Sequence, residues 1–162
     1  MLPVLLALAL LAHPDPAADE EEEEVVEEGG PSGLVLAAVA GVAVEAFQAN
    51  GRTFPFGGVQ VGWAFGDMEV GALAQAYHFG DAAVTPWSPV LLLRIDQRFR
   101  TARGVSADLG LGVGAGRVDT WKAWFQATLG LRLEQGPLLL GAEVGFEQNQ
   151  LLRLGASIGF RL

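Results

Sequence analysis

The sequence predicts an all-β protein, an eight-stranded antiparallel up-and-down transmembrane β-barrel. Three observations predict it. From Gly104 to Leu162 apolar and polar side chains alternate with a period of two. The charges inside the strands fall on one face, and the opposite face is apolar. Turn signals cut residues 33 to 162 into eight segments, an even number that returns both ends to one side of a membrane.

The amino-terminal elements come first. Residues 1 to 18 read as a signal peptide: MLPVLLALALLA is an apolar core followed by small residues where cleavage is possible, although no Lys or Arg precedes it. It is too short to span a bilayer, and no other stretch reaches the ~18 apolar residues of a transmembrane helix. Residues 19 to 32 read as an acidic disordered linker, because like charges four apart oppose a helix and little apolar surface is available to bury. The same run is also readable as a docking site for a basic partner or divalent cations. The formal charge of −9 comes from this end, since Asp15, Asp19 to Glu24, Glu27 and Glu28 have no base among them. From Gly29 onward acids and bases balance.

The barrel occupies residues 33 to 162. The expected strands run at about 33 to 48, 56 to 65, 68 to 79, 89 to 100, 104 to 116, 121 to 134, 137 to 148 and 150 to 162. The first, GLVLAAVAGVAVEAF, is Ala-rich and also suits a helix. The second and third flank the turn Gly66-Asp67. Thr101 to Arg103 join the fourth to the fifth, and Gln135-Gly136 join the sixth to the seventh. These short connections belong on the periplasmic side. The outer connections, Ala49 to Pro55, Gly80 to Ser88 and Arg117 to Thr120, are longer, and only that near Gln148 to Gln150 is tight. Short periplasmic turns with longer outer loops are the asymmetry of outer-membrane barrels.

Polarity decides between a membrane barrel and a soluble one, since both alternate. Gly110, Gly112, Gly114, Gly141, Gly145, Gly155 and Gly159 share the charged face, where a narrow eight-stranded interior has to be filled by large and small groups together. On a solvated strand surface they would weaken the sheet with no packing gain. The charged face therefore points inward. The apolar face carries no charge in any expected strand, its polar exceptions being Gln97 and His78. A slip of one residue would place several arginines in lipid, at about 2 to 4 kcal/mol each near the midplane, so the register is fixed. Outward aromatics gather near strand ends, Trp63, Phe65, Phe99 and Phe160 at the periplasmic side and Trp121 and Phe146 at the exterior, as interfacial anchors would. Aromatics are also good strand formers in general.

This pattern over residues 33 to 162 resembles the small eight-stranded outer-membrane barrels typified by the membrane domain of outer membrane protein A and by outer membrane protein X. The final strand, LLRLGASIGFRL, is similar to the carboxyl-terminal signal read by the barrel-assembly machinery, with Ile158, Phe160 and Leu162 as its outward hydrophobics. It departs in ending on Leu162 in place of an aromatic, with Phe160 two positions back on the same face. The resemblance implies residence in the bacterial outer membrane and contact with membrane lipid and lipopolysaccharide.

Inside the barrel the expected charges are seven of each sign: Glu45, Glu69, Asp96, Asp108, Glu134, Glu143 and Glu147 against Arg94, Arg98, Arg100, Lys122, Arg132, Arg153 and Arg161. Pairing through the turns sets Glu69 beside Arg100 and diagonal to Arg98, Asp108 near Arg98 and Arg94, and Arg153 between Glu143 and Glu147. Charges in a narrow lumen have to be paired, because an orphan costs several kcal/mol. The expectation is a salt-bridged plug. The same residues also read as a gate or proton path, and the barrel then as a narrow pore for ions or small solutes.

Enzyme chemistry has thin support. His78, beside Tyr77, is the one histidine outside the leader, with Thr85 and Ser88 as nucleophile candidates and Asp81 as an orienting acid, a grouping that resembles lipid A acyl-modifying barrels. His78 has lipid-facing parity, so no catalytic residue is assigned. GLGVGAG lies in a strand and is not a dinucleotide loop. No cofactor is expected. Zero cysteines exclude a disulfide scaffold and a thiolate metal site, no metal cluster is present, and no basic stripe supports nucleic-acid binding. Arg117, Asp119 and Lys122 in the third outer loop read as a sugar or host-surface contact, or as an ordinary solvated loop. The physiological role expected is structural or surface-interacting.

Overall fold

The computed structural model describes residues 32–46, 51–80, 87–101, 104–117 and 119–162. The expected signal peptide and nearly all of the acidic linker lie outside them, as do Asp81 and Thr85. Eight strands, β1 (Gly33–Glu45), β2 (Thr53–Phe65), β3 (Met68–His78), β4 (Trp87–Arg100), β5 (Val105–Arg117), β6 (Trp121–Gln135), β7 (Leu138–Glu147) and β8 (Leu151–Arg161), pair antiparallel in sequence order and close into a barrel. The Ala-rich first segment is a strand because its partners on both sides are strands. Leu36 lies opposite Val61 of β2 and Phe160 of β8, and Gly41 lies opposite Phe56 and Gly155. Closure leaves no open edge.

One end of the barrel, the turn end, is made by tight connections. Gly66 and Gly136 take φ of 60° and 59° there, a left-handed conformation that glycine adopts without steric cost. The β6–β7 turn is Gly136-Pro137, one residue later than expected, and Pro137 suits it because proline lacks the N–H that a ladder position would need. The other end carries the loops. Strands there differ from expectation: β1 stops at Glu45, β2 starts at Thr53, β4 starts at Trp87, and β5 runs through Arg117. The first two changes have a shared cause. Glu45 donates its N–H to the Arg52 carbonyl while its carboxylate pairs with the Arg52 guanidinium at 3.3 Å, which turns the chain earlier.

Side chains obey the alternation. Leu111, Leu131, Leu93 and Phe125 point outward and are exposed, while Arg94, Asp96, Arg98, Glu147 and Arg153 point inward and are buried. Arg153 has no exposed surface and Leu131 keeps 62 %, an inversion of the soluble-protein rule. The interior also holds two apolar clusters that charge patterning did not foreshadow. Near the loop end Phe54, Phe56, Tyr77, Leu73, Val90, Leu92, Trp124 and Leu151 pack together with Phe79. Val35, Ala64 and Leu139 form a smaller group near the turn end.

Candidate functional site: the ion-paired interior

The polar interior sits between these clusters and is built from neighbouring strands that each send every second side chain inward. Arg153 of β8 reaches Glu143 at 2.7 Å and Glu147 at 2.9 Å, both on β7. Its guanidinium carbon also stands 4.2 Å from the centre of the Phe56 ring. Glu147 is saturated: Oε2 accepts from Trp124 Nε1 at 3.0 Å, and Oε1 from Gln126 at 2.6 Å, Gln75 at 3.2 Å and Arg153. Such saturation is what keeps a buried carboxylate tolerable.

Glu143 hands the network on. Its second oxygen takes Arg94 Nη2 at 2.9 Å, and Arg94 also donates to Asp96 at 2.9 Å and to Thr128 Oγ1 at 2.9 Å. Gln60 then donates to Glu69 at 2.9 Å. Glu69 accepts Arg132 at 2.8 Å and lies 3.5 Å from Arg98. Asp108 takes Arg132 at 2.6 Å and Arg98 at 3.4 Å, Glu134 lies 3.1 Å from Arg98, and Arg161 closes the series on Glu134 at 2.9 Å. Two sets of ion pairs, from Arg153 to Asp96 and from Glu69 to Arg161, are therefore joined through the neutral Gln60, whose amide donates to Asp96 at 3.4 Å as well as to Glu69.

Arg100 is a correction. It is exposed at the turn end and pairs with Asp67 at 2.7 Å, outside the interior relay. Glu69 is not beside it: the β3–β4 ladder sets Glu69 opposite Asp96, with Arg98 two residues further along β4. The cause is that β4 begins earlier and the loop before it is shorter than expected, which shifts the pairing. Asp108 faces Arg98 directly, whereas Arg94 bonds Asp96 and Glu143 instead. Glu45 and Lys122 have inward parity but stand at the loop-end rim, where Lys122 is exposed. The charge-free outer face also needs correcting, because the extra residue of β5 puts Arg117 on it.

The network includes members that a search for charges passes over. Gln60, Gln75, Gln126, Thr128, Tyr77 and Trp124 all bond to it or to one another, and all share inward parity with a neighbouring charge. Parity was the signal available for them. Glycines make room: a Cβ on Gly110 would run into Asp96 Oδ1, and one on Gly116 would stand 2.5 Å from the Trp124 ring. Within the relay a cavity of about 30 Å³ is lined by Gln60, Arg94, Asp108, Thr128, Arg132 and Glu143, among others. That is the room of one or two waters.

The other expected residues are placed as follows. Trp63, Phe65, Phe99 and Phe160 are exposed and outward close to the turn end, and Trp121 opens β6 at the loop end. Phe146 is outward one residue before the end of β7. Trp87, absent from the expected belt, opens β4 outward, its ring 4.9 Å from that of His78. Ile158, Phe160 and Leu162 lie outward along the final strand and its end. Tyr77 faces Ser88 across the ladder, both inward, while His78 faces Trp87, so histidine and serine project from opposite faces of the sheet. Among the described residues no group of three or more His, Cys, Asp or Glu is arranged to hold a metal ion.

No family model matches the chain, and no curated protein sequence matches it. Solved structures do. Neisserial surface protein A aligns with a TM-score of 0.62 at 13 % identity, covering 82 % of this chain and 99 % of that one. The N-terminal β-barrel domain of Pseudomonas aeruginosa OprF aligns with a TM-score of 0.58 at 14 % identity, covering 82 % and 100 %. A de novo designed transmembrane β-barrel aligns with a TM-score of 0.59 at 16 % identity, covering 82 % and 97 %. At such identities the likeness is one of fold: this chain has the architecture of the small eight-stranded outer-membrane barrels.

Proposed function

We propose that this chain is an integral protein of the bacterial outer membrane whose interior is a salt-bridged plug, and that its role in the envelope is structural or surface-interacting. The observation that carries the reading is the pair of ion-pair sets from Arg153 to Arg161, joined through Gln60 and capped at the loop end by the aromatic cluster around Tyr77 and Trp124. A continuous water path would have to break several charge-assisted bonds. In this orientation the turn end and both barrel termini face the periplasm and the loops face outward. The lipid-facing wall contacts membrane lipid and lipopolysaccharide, and Ile158, Phe160 and Leu162 present the strand that the barrel-assembly machinery takes.

The reading includes no enzymatic activity, since His78 and Ser88 do not share a face. Planar-bilayer recording of the purified, refolded protein tests it. The expected record is flat or shows rare, small openings. A large and steady conductance would replace the plug with the narrow-pore reading.

A further inference from the structure

Outward side chains stack in rows along the ladders, and between two of these rows the outer wall is hollow. Val70, Ile95, Leu111, Ala127 and Phe146 are successive ladder partners from β3 to β7 and make one row. Leu93, Val113 and Phe125 make the row beside it, and the members of both rows are exposed. Between them lie the ladder partners Arg94, Gly112, Gln126 and Glu147, whose side chains, glycine apart, turn into the barrel and leave their backbone as a floor. The resulting groove holds about 750 Å³, a size shared by ligand clefts. Ala127 widens it, presenting a methyl where its row neighbours Leu111 and Phe146 are large.

Position and direction say what fits. Phe146 and Gln148 bound the groove at the loop end of β7, and Val70 stands near the turn end of β3. With strands about 4.8 Å apart, a row across five of them is about 19 Å long, and strands tilted by about 45° carry it about 13 Å down the membrane normal. Half of a ~30 Å hydrocarbon core is about 15 Å deep. A single long acyl chain has this reach. The convex wall of a second barrel would rest on the two rows without entering between them. Gln148 adds a polar group at the loop end, where its Oε1 is enclosed without a hydrogen-bond partner.

We infer that this groove across β4 to β7 binds one long acyl chain of an outer-leaflet lipid, held in place as a ligand and not exchanged as bulk solvent. The inference rests on the proposed membrane orientation. The chain enters at the loop end, where only the three residues Gln148–Gln150 join β7 to β8. It lies along the backbone floor beside Ala127, with Phe125 and Phe146 against its flanks. After a turn of its carboxamide, Gln148 accepts from an amide N–H or hydroxyl next to the carbonyl of the chain, which satisfies its orphaned oxygen.

Native mass spectrometry of the folded barrel in detergent, offered N-myristoyl glucosamine or the short-chain N-butyryl glucosamine, tests the site. Saturable retention of one myristoyl lipid per barrel is expected, with no retention of the butyryl compound. Ala127→Phe fills the groove and should weaken retention about tenfold. Ala142→Phe, also outward but outside the groove, should leave it unchanged. Gln148→Leu keeps the groove and should weaken retention about fivefold. Ala127→Leu is the substitute if the phenylalanine variant misfolds. Uptake of many copies without saturation overturns the inference, and so does equal retention by Ala127→Phe and the parent. A barrel that folds, shown by heat-modifiable gel migration, yet retains no lipid removes this site alone; a chain that never folds in detergent or lipid removes the membrane reading with it.

Discussion

Arg153 and Phe56 meet face to face inside the barrel, with the guanidinium carbon 4.2 Å from the ring centre while two glutamates hold the guanidinium nitrogens. The ring has a seat. A Cβ on Gly41, its ladder partner, would come within 2.8 Å of Phe56 Cζ and one on Gly155, opposite Gly41 on β8, within 3.3 Å, so the ring lies over two glycines. Replacing Arg153 by Leu strands Glu143 and Glu147 in a desolvated interior. Urea unfolding in lipid vesicles should register a loss of about 3 to 5 kcal/mol. Arg153→Lys should recover only part of it, since an ammonium does not reproduce the planar fork.

Trp124 has a similar seat on Gly116. A Gly116→Ala change has to displace the indole, whose Nε1 donates to Glu147. A loss of about 1 to 3 kcal/mol is expected. Tryptophan emission should shift to the red as the ring leaves its dry site, and an unchanged spectrum with unchanged stability would contradict the packing.

The lipid-facing wall makes a position-dependent prediction. Leu111→Arg, in the middle of β5, should cost about 2 to 4 kcal/mol in bilayer folding equilibria. The native cation at Arg117, six residues further along the same face, stands at the loop-end rim of β5, where no such cost is expected. Equal tolerance at both positions would argue for a soluble barrel.

Final-strand chemistry is tested through assembly. Phe160→Ala removes the aromatic nearest the end of β8, and Leu162→Phe supplies one at the last position. Reconstituted assembly machinery should fold the first variant more slowly than the parent and the second at least as fast, as followed by the heat-modifiable fraction over time.

Strand parity made most of the fold and the polar interior legible in sequence. In β4 the run Arg94, Asp96, Arg98 on one face with Leu93, Ile95, Phe99 on the other leaves a single consistent arrangement. Partner choice was harder to read. Glu69 is expected beside Arg100 when pairing is counted from a loop at Gly80 to Ser88; the ladder instead closes at His78 and Trp87, earlier along the chain, which moves the partner four residues to Asp96 while leaving each side chain on its proper face. The aromatic layer was hidden for a different reason. Phe56 and Trp124 have the inward parity of the charges but carry no charge to mark them, and Phe54 falls in the expected loop Ala49 to Pro55, whereas β2 in fact starts at Thr53. The glutamines were passed over because they bear no charge, although they supply the donors that satisfy Glu147 and Glu69.

The seam between β1 and β8 has a consequence for the chain as a polymer. Leu34 and Leu162 exchange backbone hydrogen bonds at 3.0 and 2.9 Å, which brings residues 33 and 162 to the same rim. Once the ring is shut, every strand has two neighbours and none holds a privileged place. A short peptide spliced from Leu162 to Gly33, with new ends opened between β4 and β3 at the loop side, would yield a circularly permuted barrel with all eight ladders intact.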